Sequence, residues 1–80
     1  AGDAAARAEL LALYQANSDP EIREAVTEAM MIADDDEGVI SLFKAATDDE
    51  EKARLLRVLV IMDSDAAMEA IDAALSGELL

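Results

Sequence analysis

The side chains best suited to chemistry in this 80-residue chain are carboxylates that fall in its turns. The acidic run Asp34-Asp35-Asp36-Glu37-Gly38 invites comparison with a calcium loop. An EF-hand loop needs acids at its first, third and fifth positions, glycine at the sixth and glutamate at the twelfth. Counted from Asp34, Gly38 falls at the fifth position, and Lys44 and Ala45 stand where the glutamate belongs. We therefore expect these acids to cap helices and not to bind a metal.

The range of side chains also argues against catalysis. Histidine and cysteine are absent, so the usual pairs of nucleophile and base are unavailable. Paired carboxylates for acid–base chemistry must be buried in separate environments, whereas the acids here lie in turns and on predicted solvent-facing stripes. The serines have no evident base partner. We predict that the protein is not an enzyme and carries no cofactor.

The charge balance restricts the possible partners. Nineteen acidic residues against six basic ones give a formal net charge of −13 at pH 7. Sequence-independent nucleic-acid binding depends on Lys and Arg, so we expect no nucleic-acid partner. The charge favours a neutral or basic protein partner, and a hydrated acidic surface without such a role is the alternative. Because 54% of the residues are apolar, the chain is not a disordered acidic tail.

The sequence predicts neither export nor membrane insertion. The chain does not open with the charged, apolar and then small residues of a signal peptide. Its longest apolar run, from Val58 to Met62, is far short of the ~20 residues that a membrane span needs. The absence of cysteine fits a reducing compartment, so we expect a cytoplasmic protein without a membrane partner.

Apolar residues recur at helical spacing in five segments, and no segment is typical of a strand. The first four predicted helices cover roughly residues 3–16, 20–33, 36–46 and 49–62, and a fifth follows the turn and cap at residues 63–65 and runs to about residue 76. We expect Asp19 or Ser18 to cap the second helix and one of residues 34–36 to cap the third. Thr47 and Glu50 have the spacing of a capping box at the start of the fourth helix.

The apolar faces of these helices predict the core. The fourth helix is the most apolar and is expected to be buried nearly all round. Gly77 is placed to end the fifth helix in a left-handed cap. The predicted inward faces of the first and third helices comprise Ala6, Leu10, Leu13 and Tyr14, and Val39, Leu42, Phe43 and Ala46.

The apolar pattern repeats after 29 residues without a gap. Residues 10–16 and residues 39–45 have the same apolar spacing, and residues 26–34 match residues 55–63 in the same way. Apolar positions, turn acids and helix phases all recur together. A period of this length is typical of stacked helical repeats, in which each unit buries its apolar face against its neighbours. An ordinary helical bundle with accidental similarity is the alternative.

The segment Ser18-Asp19-Pro20-Glu21-Ile22-Arg23-Glu24-Ala25-Val26 resembles the first helix of a bacterial HEAT-like repeat. The second helix of that unit would correspond to residues 34–46. The next copy departs from the pattern at three positions, where Asp49, Glu51 and Lys52 replace the proline, isoleucine and arginine. The resemblance implies an all-α, right-handed α–α superhelix of about five antiparallel helices, a HEAT-like solenoid segment.

The resemblance also implies where a partner would bind. In this family the second helix of each unit lines the inner curve, which here includes Ala12, Gln15, Ser41, Lys44, Ala70 and Ala73. Separately, Arg54 and Arg57 lie one turn apart on the polar stripe of the fourth helix and could bind an acidic partner. The alternative is that these arginines pair with neighbouring carboxylates such as Glu50.

The last unit differs from the first two at the positions that should face a neighbour. Leu11 and Ile40 correspond to Glu69, and the aromatic residues at 14 and 43 correspond to Asp72. A terminal repeat presents a polar flank, so Glu69 and Asp72 predict a carboxy-terminal cap. We accordingly expect residues 1–80 to be one helical repeat domain, the C-terminal part of a longer array. The competing interpretation is a complete five-helix domain.

These features favour a non-catalytic protein-interaction or scaffold module whose partner is another protein. The acidic charge allows an alternative function, a mimic that occupies the basic surface of a nucleic-acid-binding protein. A third possibility is a structural cap for an upstream domain. The repeat architecture itself says little about function, because one fold hosts many functions.

Overall fold

The computed structural model describes residues 4–77, which form five α-helices and no strand. The helices are α1 (Ala4–Ala16), α2 (Pro20–Ile32), α3 (Asp36–Ala45), α4 (Asp49–Met62) and α5 (Asp65–Leu75). The all-α prediction is confirmed, and α4 begins and ends at the residues predicted from the sequence. The predicted ends of α2, α3 and α5 each extend one residue further than the structure does. Residue 3, the predicted start of α1, lies outside the described residues.

Side chains in the turns cap four of the helices, because each helix start leaves backbone N–H groups without partners. The expectation that residues 34–36 supply a cap is confirmed at Asp35. The predicted capping box at Thr47 is wrong, since Asp48 accepts the hydrogen bond from Glu51 N at 3.2 Å. The caps of α2, α3, α4 and α5 are Asp19, Asp35, Asp48 and Ser64.

Three turns use left-handed backbone conformations. Gly77 has a φ of +83°, which confirms the left-handed end predicted after α5. Asp34 and Asp63 also have positive φ values, 57° and 49°. Aspartate enters this region more readily than most residues because its short polar side chain bonds locally, although the conformation still costs free energy.

The helices pack as two rows in alternation along the chain. Each helix contacts the next one in sequence, and helices two apart also touch: α1 with α3, α3 with α5, and α2 with α4. One row therefore contains α1, α3 and α5, and the other contains α2 and α4. Helix α3 contacts each of the other four helices.

The core lies between the two rows. The predicted inward face of α3 is confirmed, because Val39, Leu42, Phe43 and Ala46 are all buried. Thr27 is buried as well, and its hydroxyl donates to the carbonyl of Glu24 at 2.9 Å. The full set of buried apolar residues is Tyr14, Val26, Met30, Val39, Leu42, Phe43, Ala46, Leu55, Leu59, Ala67 and Ala70.

Two predicted faces are wrong in extent. Helix α4 is not buried all round, since Val60 and Ile61 are 56% and 70% exposed while only Leu55 and Leu59 of this helix are fully buried. Its neighbours α2, α3 and α5 leave one side uncovered. On α1, Ala6 is exposed and Leu13 is 46% exposed, although both are predicted to face inward, because α1 packs mainly along α2 and α3 and its other side is uncovered.

The 29-residue sequence period is also a period of local structure. Asp19 and Asp48 cap corresponding helices, and Asp34 and Asp63 share the left-handed conformation. A bond between helices recurs too: Arg7 donates to Asp35 at 2.9 Å, and one period later Ser64 donates to Asp36 at 2.6 Å. The same two positions of the repeat therefore meet at both joints between neighbouring units.

Candidate functional site

A groove of about 510 Å³ runs along the row of α1, α3 and α5. We call it the α1–α3–α5 groove. Four of the residues predicted for the partner surface line it together, namely Ser41, Lys44, Ala70 and Ala73. The complete lining is Arg7, Glu37, Ile40, Ser41, Lys44, Ala66, Glu69, Ala70 and Ala73.

The α5 wall of this groove consists mainly of alanine. Ala66, Ala70 and Ala73 leave the helix backbone accessible to close approach, with Glu69 as the charged residue among them. Across the groove, Lys44 is exposed and forms no ion pair with any carboxylate among residues 4–77. The α5 wall of small residues is therefore flanked by charged side chains of both signs.

Arg7 holds the α1 end of the groove in place. Its guanidinium contacts Asp35 at 2.7 Å and Glu37 at 3.2 Å, and the hydrogen bond to Asp35 raises the pKa of Arg7. Asp35 is only 4% exposed and also caps α3 through Gly38 N. A Cβ at position 38 would lie 2.5 Å from Asp35 Oδ2, so glycine is what allows this close approach.

The contact between Arg7 and Asp35 is not among the contacts that the sequence predicts. The 29-residue repeat could have predicted this contact, because the positions of Arg7 and Asp35 hold Asp36 and Ser64 one period later, and these are also polar. Two polar positions that recur together at each joint predict a contact between neighbouring units. Ala12 and Gln15, also predicted for the partner surface, are exposed on α1 but do not line the groove.

A second groove, of about 460 Å³, lies beside α2 and α4, and we call it the α2–α4 groove. Arg54 and Arg57 are here, so the structure divides the predicted partner residues between two separate grooves. The complete lining is Ser18, Pro20, Arg23, Asp48, Glu50, Glu51, Ala53, Arg54 and Arg57. Its three arginines and three carboxylates make it less acidic than the surface as a whole.

The sequence alternative that paired Arg54 with Glu50 is wrong. Arg54 donates to Tyr14 Oη at 2.8 Å and to Thr27 Oγ1 at 3.4 Å, both uncharged acceptors. Arg57, one turn further along, is exposed and forms no ion pair with a carboxylate of the described chain. The polar stripe of α4 therefore points one arginine into the inter-helix packing and leaves the other in solvent.

Tyr14 is the centre of a polar network that joins α1, α2 and α4. Its hydroxyl donates to Glu51 Oε2 at 2.6 Å and accepts from Arg54. Glu51 also accepts from Arg23, whose guanidinium lies 4.6 Å from the centre of the Tyr14 ring. Burial, and then the hydrogen bond to Glu51, raises the pKa of the Tyr14 hydroxyl. The apolar spacing of α1 predicts Tyr14 as a core aromatic residue but does not predict its polar partners.

The acidic residues in the turn before α3 have structural roles. Among residues 4–77, no three carboxylates lie close enough together to hold a metal ion. Asp35 and Asp36 are occupied by Arg7, by the backbone and by Ser64. Fourteen of the seventeen carboxylates in the described chain are exposed to solvent.

Comparison with known proteins adds no assignment. None of the helices in the described part of the chain is long and apolar enough to cross a membrane. No family model, curated protein or solved structure matches this chain.

Proposed function

We propose that this chain is a non-catalytic protein-binding module built from stacked HEAT-like repeats that coil into a right-handed superhelix. Two observations support the architecture. Alternate helices form two rows, and bonds between neighbouring units recur after one 29-residue period. Repeat proteins of this kind present extended surfaces along one row of helices and use them to bind partners.

The α1–α3–α5 groove carries the proposal. Its alanine wall lets the backbone of a partner segment approach α5 closely, while Lys44 forms no ion pair within residues 4–77 and could bind a partner carboxylate. Glu69 and Glu37 in the same groove favour basic side chains on either side. The proposed ligand is therefore a protein segment that is uncharged where it packs on the α5 alanines, with a carboxylate for Lys44 and basic side chains for Glu37 and Glu69.

Site-specific photo-crosslinking tests this assignment. A crosslinking residue at Ala73 in the α1–α3–α5 groove is expected to capture a partner from cell extract that the same residue at Ala53 does not. Ala53 lines the α2–α4 groove and is the matched control.

A blocking substitution then separates specific capture from adventitious contact. Ser41 is exposed, so Ser41→Trp should fill the groove without unfolding the chain. We expect this variant to lose the captured partner while its thermal midpoint stays unchanged. Equal capture from both crosslinking positions, or full capture by the Ser41→Trp variant, would refute the proposal.

The acidic surface supports a second candidate, a mimic that occupies the basic surface of a nucleic-acid-binding protein. Its support is the exposure of most carboxylates, including Glu21, Glu24 and Glu28 along α2. The salt dependence of partner binding distinguishes the two. A charge mimic loses affinity steeply between low and moderate salt, whereas binding that depends on close packing in the groove changes little.

A further inference from the structure

The α2–α4 groove contains half of the chain's basic side chains. The chain has six Lys and Arg residues in all, and Arg23, Arg54 and Arg57 line this one groove. Three carboxylates lie beside them, so the lining is formally neutral on a chain whose net charge is −13. The groove lies at the joint between two helices of one row, and residues of both helices form its walls.

Two of the three carboxylates in the groove already have structural partners. Glu51 accepts hydrogen bonds from Tyr14 Oη and from Arg23. Asp48 accepts from the backbone at the start of α4 and caps that helix. The third, Glu50, is exposed and pairs with no basic side chain of residues 4–77. The carboxylates of the groove therefore neutralise one of its three arginines and leave the other two without a counter-ion.

Arg54 is a half-buried cation whose bonded partners are uncharged. Its guanidinium donates to Tyr14 Oη at 2.8 Å and to Thr27 Oγ1 at 3.4 Å, and it forms no ion pair with a carboxylate of the described chain. A guanidinium has five N–H donors, so these two bonds leave donors for a ligand. Partial removal of a charge from water costs free energy unless a counter-ion pairs with it. Arg54 is thus fixed in position and lacks an anion.

Arg57 stands beside Arg54 on the same face of α4. Residues three apart on a helix have Cβ atoms about 5–6 Å apart, so both guanidinium groups can reach one small anion. Ala53 lines the groove next to them and leaves room for a ligand. In the preceding copy of the repeat, Ala25 and Glu28 hold the positions of these two arginines. The helical repeat therefore does not itself require arginine at either position.

We propose that Arg54 and Arg57 bind a single carboxylate group, carried by an aspartate or glutamate of a partner protein segment that lies in the α2–α4 groove. The planar guanidinium forms short, charge-assisted bonds with carboxylate oxygens. The three carboxylates of the lining restrict the ligand's charge, since they repel a phosphate of charge about −1.5 to −2 more strongly than a carboxylate. The segment is therefore uncharged on either side of its one acidic residue. This site is separate from the α1–α3–α5 groove and does not depend on the function proposed for that groove.

NMR titration of the intact, isotope-labelled chain tests the proposal, because the Nε–Hε signals of the arginines report directly on the site. The probe is an N-acetylated, C-amidated glycine–alanine peptide with one central aspartate. We expect the signals of Arg54 and Arg57 to shift saturably, with a dissociation constant on the order of 1–10 mM. The same peptide with asparagine at its centre should bind at least about tenfold more weakly, and the peptide with phosphoserine there should also bind more weakly than the aspartate peptide.

A pair of variants separates the site from a general effect of charge. Arg57 is exposed, so Arg57→Gln should weaken binding of the aspartate peptide at least about tenfold while the urea midpoint stays unchanged. Lys52→Gln is the matched control, because it removes the same charge from α4 outside the groove lining and should leave the affinity within about twofold.

Four results would overturn the proposal. They are the absence of saturable shifts, equal binding of the asparagine peptide, tighter binding of the phosphoserine peptide, and equal affinities for the Arg57→Gln and Lys52→Gln variants. Neither variant alters the lining of the α1–α3–α5 groove, so each of these results leaves the function proposed for that groove to its own test.

Discussion

The hydroxyl of Tyr14 should be a measurable determinant of stability, and Tyr14→Phe removes it without changing the shape of the ring. The hydroxyl makes two hydrogen bonds to charged groups, one to Glu51 at 2.6 Å and one from Arg54 at 2.8 Å. Hydrogen bonds to charged groups contribute about 1.5–3 kcal/mol each when well shielded. Glu51 and Arg54 both retain some contact with water, so we expect a total loss of about 2 kcal/mol.

This loss is large for a domain of this size. At about 0.05–0.15 kcal/mol per residue, the whole chain has a free energy of unfolding of roughly 4–12 kcal/mol. Urea unfolding followed by circular dichroism measures the change directly, and the thermal midpoint should fall by roughly 10 °C. A Tyr14→Phe variant that unfolds within about 0.5 kcal/mol of the original chain would refute the network described here.

A double-mutant cycle tests whether the network accounts for the loss. Combining Tyr14→Phe with Arg54→Met should reveal a coupling of about 1 kcal/mol, because methionine keeps the packing of the stem but cannot donate. Arg57→Met is the matched control, since Arg57 lies one turn away on the same helix and makes no bond to Tyr14. Equal coupling in both cycles would contradict the geometry.

Three further perturbations test other features. The free energy of unfolding should decline as pH rises above the ordinary tyrosine pKa of 10.0, because the raised pKa of Tyr14 keeps its hydroxyl neutral in the folded protein while the unfolded protein ionises. Tyr14→Phe should flatten this decline in alkaline unfolding curves. The absorbance of tyrosinate measures the ionisation directly, since the chain has a single tyrosine. Asp63→Gly should raise the free energy of unfolding by about 1 kcal/mol by relieving a φ of 49°, and a smaller gain is expected from Asp63→Asn, which removes the charge alone. Asp48→Ala should cost about 1 kcal/mol in thermal unfolding and Thr47→Ala less than about 0.5 kcal/mol, whereas the reverse order would restore Thr47 as the cap of α4.

The sequence predicts the helices well because local chemistry determines them. Asp19 and Pro20 mark the start of α2, and Gly77 marks the end of α5, through backbone preferences that need no tertiary context. The inward face of α3 was also predictable, because that helix is covered by neighbours on several sides and its apolar stripe is correspondingly wide.

The same reasoning fails where exposure depends on how many neighbours a helix has. The apolar pattern of α4 predicts burial all round. Apolar side chains permit burial, but a side chain is buried only where a neighbouring helix covers it, and Ile61 has no such cover and is exposed. The two grooves are tertiary features that join residues from separate helices. Sequence spacing placed Ser41 and Ala70 on one row correctly, but it did not predict that Arg54 would turn toward Tyr14.

The central position of α3 determines the order in which parts of this small protein unfold. Because α3 touches all four other helices, it is the part of the chain whose opening requires the loss of nearly all tertiary packing. Helices α1 and α5 do not touch each other, and each can fray without separating the rest. Apart from the bonds of Tyr14 to Glu51 and Arg54, helices contact one another no further than two elements along the chain, so folding needs mainly short loop closures and can spread outward from the middle.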